Sequence, residues 1–343
     1  MQSKTKILLI YTGGTIGMSK DFETGALVAF NFSQLLQHVP ELKLLDCQIE
    51  TVSFETPIDS SNMNPEILGT LASIIQDNYT KFDGFVVLHG SDTMAYTASA
   101  LSFMFENLSK PVILTGSQLP IGDLRTDAKE NLITAIQVAS LRENGRSVIQ
   151  EVCLYFEYKL YRGNRTTKVN AEHFQAFNSP NYPSLVESGV HLKTNRSLLL
   201  KVDSQEKLKV QFTLNTNVAI LKLFPGISEV VLAAMLSIKG LKGIVLETYG
   251  SGNAPTEEWF LTLIENAIKN GLHVINVTQC PAGSVMMGQY ETSTGLKNSG
   301  VISGKDITTE AAITKLMYLL EQDHDDADFK VLFEKSLRGE LTD

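Results

Sequence analysis

The sequence predicts an α/β protein: a larger N-terminal, mostly parallel α/β sheet domain followed by a smaller, doubly wound (Rossmann-like) C-terminal domain. Three observations predict it. Short apolar runs alternate with helix-like stretches from the start of the chain, the pattern of a parallel sheet wrapped by helices. A length of 343 residues, 43% of them hydrophobic, is enough for two cores rather than one. The alternation lapses after residue 189 and resumes at Val218. The expected layout is residues 1–189, a connector of irregular, partly β character over 190–217, and 218–343.

The first strand is Ile7-Leu8-Leu9-Ile10-Tyr11, an apolar run that breaks into Thr12-Gly13-Gly14-Thr15-Ile16-Gly17. Glycine admits positive φ and close backbone approach, so Thr15 is free to face a small molecule. A loop over residues 18 to 31 and a short helix near Ser33 to His38 follow. A second strand, about Cys47 to Phe54, leads into the turn-rich stretch Glu55 to Met63, whose Ser and Asp side chains are able to cap a helix from Pro65 to Asn78. Phe85 to Leu88 is a fully apolar strand that turns at His89-Gly90-Ser91-Asp92-Thr93 into a helix through about Phe105. Pro111 to Leu114 ends in Thr115-Gly116-Ser117-Gln118 before a helix from Asp127 to Arg142.

Residues 151 to 158 form a further strand. The locally basic segment Leu160 to Val169 after it reads as a solvated loop or helix start. The second series has strands at Val218 to Leu223, Gly243 to Glu247 and Val274 to Val277. Its helices are expected at about Ser228 to Leu236, Thr256 to Asn270 and Thr308 to Glu321, with a terminal helix near residues 326 to 337.

Composition excludes several function classes. A net charge of -9 opposes a nucleic-acid or anionic-membrane surface, because either needs a concentrated basic patch. Cys47, Cys153 and Cys280 are far apart and include no CxxC, so neither a disulfide framework nor a zinc site is expected, and reduced thiols in the cytoplasm are. No apolar run reaches membrane-spanning length, and the first is too short for a signal-peptide core. The six histidines show no HExxH spacing, which sets metal catalysis aside. The glycine spacing matches neither GxGxxG nor a phosphate loop, which disfavours a nucleotide-binding protein.

Four apolar strands thus end in small polar turns. If the strands are parallel, those turns open on one sheet edge and their hydroxyls and carboxylates share a crevice. The crevice would hold Thr15, Ser91 beside Asp92, and Lys168. A hydroxyl nucleophile needs a partner to take its proton, and Ser91, Asp92 and Lys168 form a candidate relay. Asp92 favours charged Lys168 and burial favours neutral, a balance left open by residue order. His89 is a rival base but reads as a structural histidine at the end of an apolar strand.

At these motifs the chain resembles the bacterial-type L-asparaginases, the asparaginase/glutaminase family, and among them the cytoplasmic type I branch. The resemblance rests on Tyr11 to Gly17, on Gly84 through His89-Gly90-Ser91-Asp92-Thr93-Met94-Ala95-Tyr96, and on Leu160 to Lys168. It continues through Tyr249-Gly250-Ser251-Gly252-Asn253-Ala254-Pro255 to Leu337-Arg338-Gly339-Glu340-Leu341. It implies hydrolysis of L-asparagine to aspartate and ammonia without cofactor or metal, with Thr15 as nucleophile of an acyl-enzyme. Asp92 and Lys168 match the second polar cluster, and Asp59, Ser60 and Ser61 the substrate-holding turn. Asp92 also matches a partner for the substrate ammonium. Backbone around Ser117 and amide groups near Ser91 are candidates for the leaving amide or oxyanion. Asn253 would arrive from a neighbouring subunit, which implies a homodimer or a dimer of dimers.

Three departures stand out. Ser91 replaces the family's usual threonine, keeping the hydroxyl but freeing its rotamer. Gly25-Ala26-Leu27 offers alanine where the family carries a catalytic tyrosine, and Tyr290 of an adjacent chain is the substitute candidate. Glu247 occupies the place of an arginine that serves a second, activating asparagine site in some members, so allosteric activation is not expected. Two further readings follow. The amidase subunit of a tRNA-dependent amidotransferase would carry an added amino-terminal domain, whereas Met1 to Thr5 alone precede the first strand. A weakened amino-acid sensor would bind asparagine without releasing ammonia.

Overall fold

The apolar run at the start of the chain becomes β1 (Thr5–Gly13), buried from Ile7 onward. In this computed structural model, which describes residues 4–20, 27–29, 39–202, 206–289 and 291–343, β1 is flanked in parallel by β2 (Cys47–Ile58) and β3 (Gly84–Leu88). The expected helix near Ser33 to His38 and residues Gly25 and Ala26 lie outside the described residues. The chain divides into two compact units, Met1–Phe212 and Thr213–Asp343.

The first unit carries an eight-stranded sheet. Beyond β3 come β4 (Val112–Thr115) and β5 (Val152–Phe156), both parallel, and then the antiparallel strands β6 (Lys159–Arg162), β7 (Val186–Glu187) and β8 (Lys193–Thr194). The order is β8-β7-β6-β5-β4-β3-β1-β2. The chain runs outward from β1 to β2, then crosses back to β3 on the other side. This reversal leaves a crevice at the carboxyl ends of β1 and β3, the place where open α/β sheets bind ligands. β3, β4 and β5 are buried on both faces, as their continuous apolar runs require, whereas the edge strand β2 alternates.

Helices α1 (Pro65–Asn78), α2 (Met94–Met104) and α3 (Ala128–Ala139) cover the sheet. On one face Ile7, Leu9, Val86 and Ile113 pack with Leu132, Ala135 and Ile136 of α3. The cap of α1 is Asn64, whose Oδ1 accepts from Ile67 N at 3.0 Å, rather than a Ser or Asp of the preceding turn. Pro65 at the first helical position makes the residue just before it the cap.

Three expectations for this unit need correction. The helix expected to reach Arg142 stops at Ala139, because Asn144 and Gly145 adopt φ 50° and 77° and fold Arg142–Glu143 back on Arg146–Ser147 as a two-residue hairpin. The strand read as 151 to 158 ends at Phe156, since Glu157 and Tyr158 (φ 45° and 66°) make the hairpin turn into β6. Over residues 160–166 the basic segment is interior, not solvated: Arg162 and Arg165 are 3% and 2% exposed. Arg162 Nε pairs with Glu151 Oε2 at 2.6 Å, and both guanidinium groups lie over the Tyr182 ring, at 4.4 and 5.2 Å. The glutamate and the aromatic face that make this burial tolerable are supplied by distant residues, so charge alone could not reveal it. Within residues 190–217, Lys193–Thr194 forms β8 and Lys209–Val210 pairs with Phe105–Glu106, in keeping with the partly β character expected there.

The second unit has a parallel sheet of β9 (Val218–Lys222), β10 (Gly243–Thr248), β11 (His273–Thr278) and β12 (Ile302–Ser303), in that order. Ile244 and Leu246 face a cluster containing Leu232 of α4 (Glu229–Leu236), Phe260 and Ile264 of α5 (Glu258–Lys269) and Leu296 of α6 (Glu291–Asn298). The alternate positions face α7 (Thr309–Leu319): a Cβ on Gly243 would meet Leu316, and Thr309 Oγ1 donates to Glu247 Oε1 at 2.7 Å. Sequence reading missed β12 and α6, whose apolar runs are short.

α7 is anchored to the chain end beyond α8 (Asp326–Glu334). Lys315 and Glu340 form an ion pair with both side chains fully buried, and Lys315 Nζ also donates to the carbonyls of Phe333 and Lys335 at 2.7 and 2.6 Å. Glu340 in turn accepts from the amides of Leu337 and Arg338. Lys315→Met would leave a buried carboxylate without its counter-charge. Denaturant unfolding should then show a loss of roughly 3–5 kcal/mol; an unchanged midpoint at unchanged slope would contradict this account.

Candidate active site

The β1 turn is shaped by what two glycines lack. Gly13 (φ 138°) packs so closely on the end of β2 that a Cβ would sit 2.1 Å from Ile58 O. Gly14 (φ 89°) packs on the turn after β3, where a Cβ would sit 2.5 Å from Gly90 N. The β1–β2 register shifts between Tyr11 and Gly13, and Thr12 Oγ1 donates to Leu88 O at 2.9 Å, which ties the β1 turn to the end of β3. Thr15, half-buried, begins the short 3-10 turn Thr15–Gly17 that results. Tyr11 OH closes it by donating to Gly17 O at 3.2 Å, and burial raises that phenol to about 12, so it stays protonated.

The turn after β3 is held from three sides. His89 is 1% exposed, with Nδ1 2.7 Å from Gly90 O and Nε2 2.9 Å from Thr97 Oγ1. Burial lowers its pKa to about 4, which makes it a neutral structural histidine, as its position suggested. Thr93 Oγ1 donates to Ser60 O at 2.7 Å, and Gly90 lies against the Ser60 hydroxyl. The Asp59-Ser60-Ser61 turn is therefore joined to the Ser91 turn. Asp59 Oδ1 accepts from both Ser61 N and Ser61 Oγ at 2.9 Å, and these two bonds hold its carboxyl below the ordinary range.

Lys168 is half-buried on the short strand Thr167–Lys168, which pairs with Phe177–Asn178. Its Nζ donates to Ser91 Oγ at 2.8 Å and to Asp92 Oδ1 at 2.7 Å. Asp92 is open to solvent, with 69% of its side chain exposed, while Lys168 is largely covered at 17%. An amine, a carboxyl and a hydroxyl group thus meet beside the turn that carries Thr15. The Gly14–Gly90 contact is one residue from Thr15 and one from Ser91.

Ser117 is buried, and its hydroxyl donates to Leu119 O at 2.6 Å, so the side chain stabilises its own loop. Asn253 belongs to the second unit, in the turn after β10, where its carbonyl accepts from Tyr249 N at 2.9 Å. Tyr290 lies outside the described residues. Sequence reasoning missed Gln118, whose Oε1 accepts from Ser91 Oγ at 3.1 Å, and Thr93. Both stand inside turns that the residue pattern had marked; Thr93 lies in a family motif that gave it no role, and no periodicity or motif singled out Gln118.

Among the described residues no group of three or more His, Cys, Asp or Glu side chains is placed to hold a metal, and no helix is long and apolar enough to cross a membrane. A cavity of about 790 Å³ in the second unit is lined by Met286, Lys297, Lys305, Lys330 and Glu334 among others. Its lining includes none of Thr15, Ser91 or Lys168.

The histidine carries a pH consequence. Below about pH 6.5 the unfolded chain protonates His89 while the folded protein, at about 4, does not. Stability is therefore lost as pH falls through that window, by roughly 3 kcal/mol at its lower end. Melting curves between pH 7 and 4.5 should fall more steeply for the native protein than for His89→Gln; parallel curves would refute this assignment.

Residues 6–199 match the family described as asparaginase, N-terminal, and residues 217–333 match the glutaminase/asparaginase C-terminal domain. The chain is 43% identical over 343 residues to L-asparaginase 1 of Escherichia coli (strain K12), covering 100% of this chain and 99% of that protein. It superposes on L-asparaginase I from Vibrio cholerae with a TM-score of 0.89 and 41% identity, covering 99% of this chain and 100% of that one. The thermostable L-asparaginase from Thermococcus kodakarensis gives a TM-score of 0.90 at 32% identity, again over 99% and 100% of the two chains. Both halves and the whole length agree, and the chain belongs to the asparaginase family.

Proposed function

We propose that this protein is an L-asparaginase that hydrolyses L-asparagine to L-aspartate and ammonia through an acyl-enzyme on Thr15. One observation carries the reading: the Gly14–Gly90 contact brings the Thr15 turn against the Ser91–Lys168–Asp92 cluster. The full-length match to L-asparaginase 1 favours hydrolysis over an amino-acid sensor or an amidotransferase subunit.

In the proposed reaction the Thr15 hydroxyl oxygen adds to the side-chain amide carbon of asparagine. The proton that the Thr15 hydroxyl gives up passes to the amide nitrogen, the carbon–nitrogen bond breaks, and ammonia leaves. Water then adds to the Thr15 ester, releases aspartate and returns a proton to Thr15. Lys168, paired with Asp92, supplies positive charge and a proton-bearing group beside Ser91, which faces the leaving amide. Asp59, Ser60 and Ser61 hold the substrate's α-carboxylate and ammonium together with Asp92, whose exposed carboxylate suits an incoming amine. Backbone amides near Ser91 and Ser117 steady the developing charge. This chemistry needs no cofactor or metal.

Asn253, and Tyr290 with it, we assign to the site of a neighbouring subunit, in a homodimer that pairs into a tetramer. The cysteines Cys47, Cys153 and Cys280 are free thiols, which suits a reducing, cytoplasmic setting.

Ammonia release from asparagine tests the assignment. Thr15→Ala should lower kcat by about a thousandfold or more, and Lys168→Met by roughly a hundredfold or more. Full activity in either variant would place the site elsewhere. Sharing between subunits is tested by mixing: Thr15→Ala and Asn253→Ala chains, each weak alone, should regain roughly a quarter of native activity when dissociated and reassembled together. No recovery in verified mixed oligomers would overturn the shared site.

A further inference from the structure

The side chain of Gln118 is committed at both ends. Its Nε2 donates to two backbone carbonyls, Ala171 O at 3.2 Å and His173 O at 3.1 Å. Carbonyls are acceptors only, so that end of the amide must be the NH2 group, and the oxygen must point the other way. There it meets Ser91 Oγ at 3.1 Å. The amide oxygen cannot donate, so the single proton of the Ser91 hydroxyl is directed at Gln118. The lone pairs of Ser91 are left to face Lys168 Nζ at 2.8 Å. The backbone of Gln118 is fixed as well, because its N donates to the buried Asp127 carboxylate at 2.9 Å.

We propose that Gln118 is the positioning residue for Ser91: it locks the serine in one rotamer and sets which way its proton points, so that Ser91 receives a hydrogen bond from Lys168 at rest. The inference deepens the asparaginase reading and rests on it. Serine has a single heavy atom beyond Cβ and turns freely among three staggered positions. A second branch on Cβ would restrain that rotation by packing, and Ser91 has none. The bond to Gln118 provides the restraint. A second effect follows from the carbonyl contacts. Ala171 and His173 lie just past Lys168, where Asn170 Oδ1 already accepts from the amides of Glu172 and His173 at 2.8 Å. Gln118 thus clamps the loop after Lys168 to the turn after β4, with Ser91 held between them.

A double-mutant cycle separates rotamer locking from loop clamping. Gln118→Met has similar length and no hydrogen-bonding amide, and should lower kcat by about tenfold with KM little changed. In the Ser91→Thr background the added methyl restrains rotation, and the same change should cost only about twofold. Loss of the loop clamp is common to both backgrounds and cancels, so equal losses in the two would overturn the proposal. A crystal structure of Gln118→Met gives a readout independent of turnover: Ser91 Oγ should occupy more than one rotamer, and a single unchanged rotamer would also overturn it. Absence of ammonia release from the native protein would instead defeat the asparaginase reading, while the rotamer readout would still decide the role of Gln118.

Discussion

The site depends on one steric fact: the turns after β1 and β3 touch backbone to backbone at Gly14 and Gly90. No side chain fits between them, and Gly14 holds a φ of 89° that any other residue would strain to adopt. The crossover of chain direction between β1 and β3 puts these two turns side by side, and the missing side chains let them meet. Thr15 and Ser91 are neighbours for that reason. Gly90 lies against Ser60, so the Asp59-Ser60-Ser61 turn joins the same arrangement.

Around this contact the first unit uses polar interactions that point inward. Arg162 and Glu151 are almost fully buried, Arg162 lies over the Tyr182 ring, and Glu151 also accepts from Leu200 N at 2.9 Å. This framework carries the chain from β6 toward Lys168. An isolated buried charge would be very costly, so the pair is a constraint on arrangement more than a source of stability. The second unit repeats the device with Lys315 and Glu340, which tie α7 to the chain end.

The chemical character of the cluster follows from who is exposed. His89 is buried and neutral, which removes the obvious base from the cluster. Asp92 pairs with Lys168 on one side and faces solvent on the other. Ser91 has two partners of opposite character, an amine that donates and an amide oxygen that accepts, so its hydroxyl has one satisfied orientation. A small alcohol held by two bonds does work that bulk would otherwise do.

Residue order was enough to recognise the α/β class, the strands from β1 to β5, the polar turns and the glycine break before Thr15, because these follow from local periodicity and turn chemistry. It also marked Thr15, Ser91, Asp92 and Lys168 as residues able to act together. It misjudged the segment from Leu160 to Val169, since the partners that let Arg162 and Arg165 be buried, Glu151 and Tyr182, lie at distant positions. It overran α3 because the hairpin at Asn144-Gly145 competes with the helical pattern up to Arg142. Gln118 was passed over because a glutamine becomes meaningful only through what its two ends touch, here Ser91 on one side and the carbonyls of Ala171 and His173 on the other. Patterns a few residues long are carried by the chain itself; which atoms stand within 3 Å of one another across dozens of residues is decided by folding.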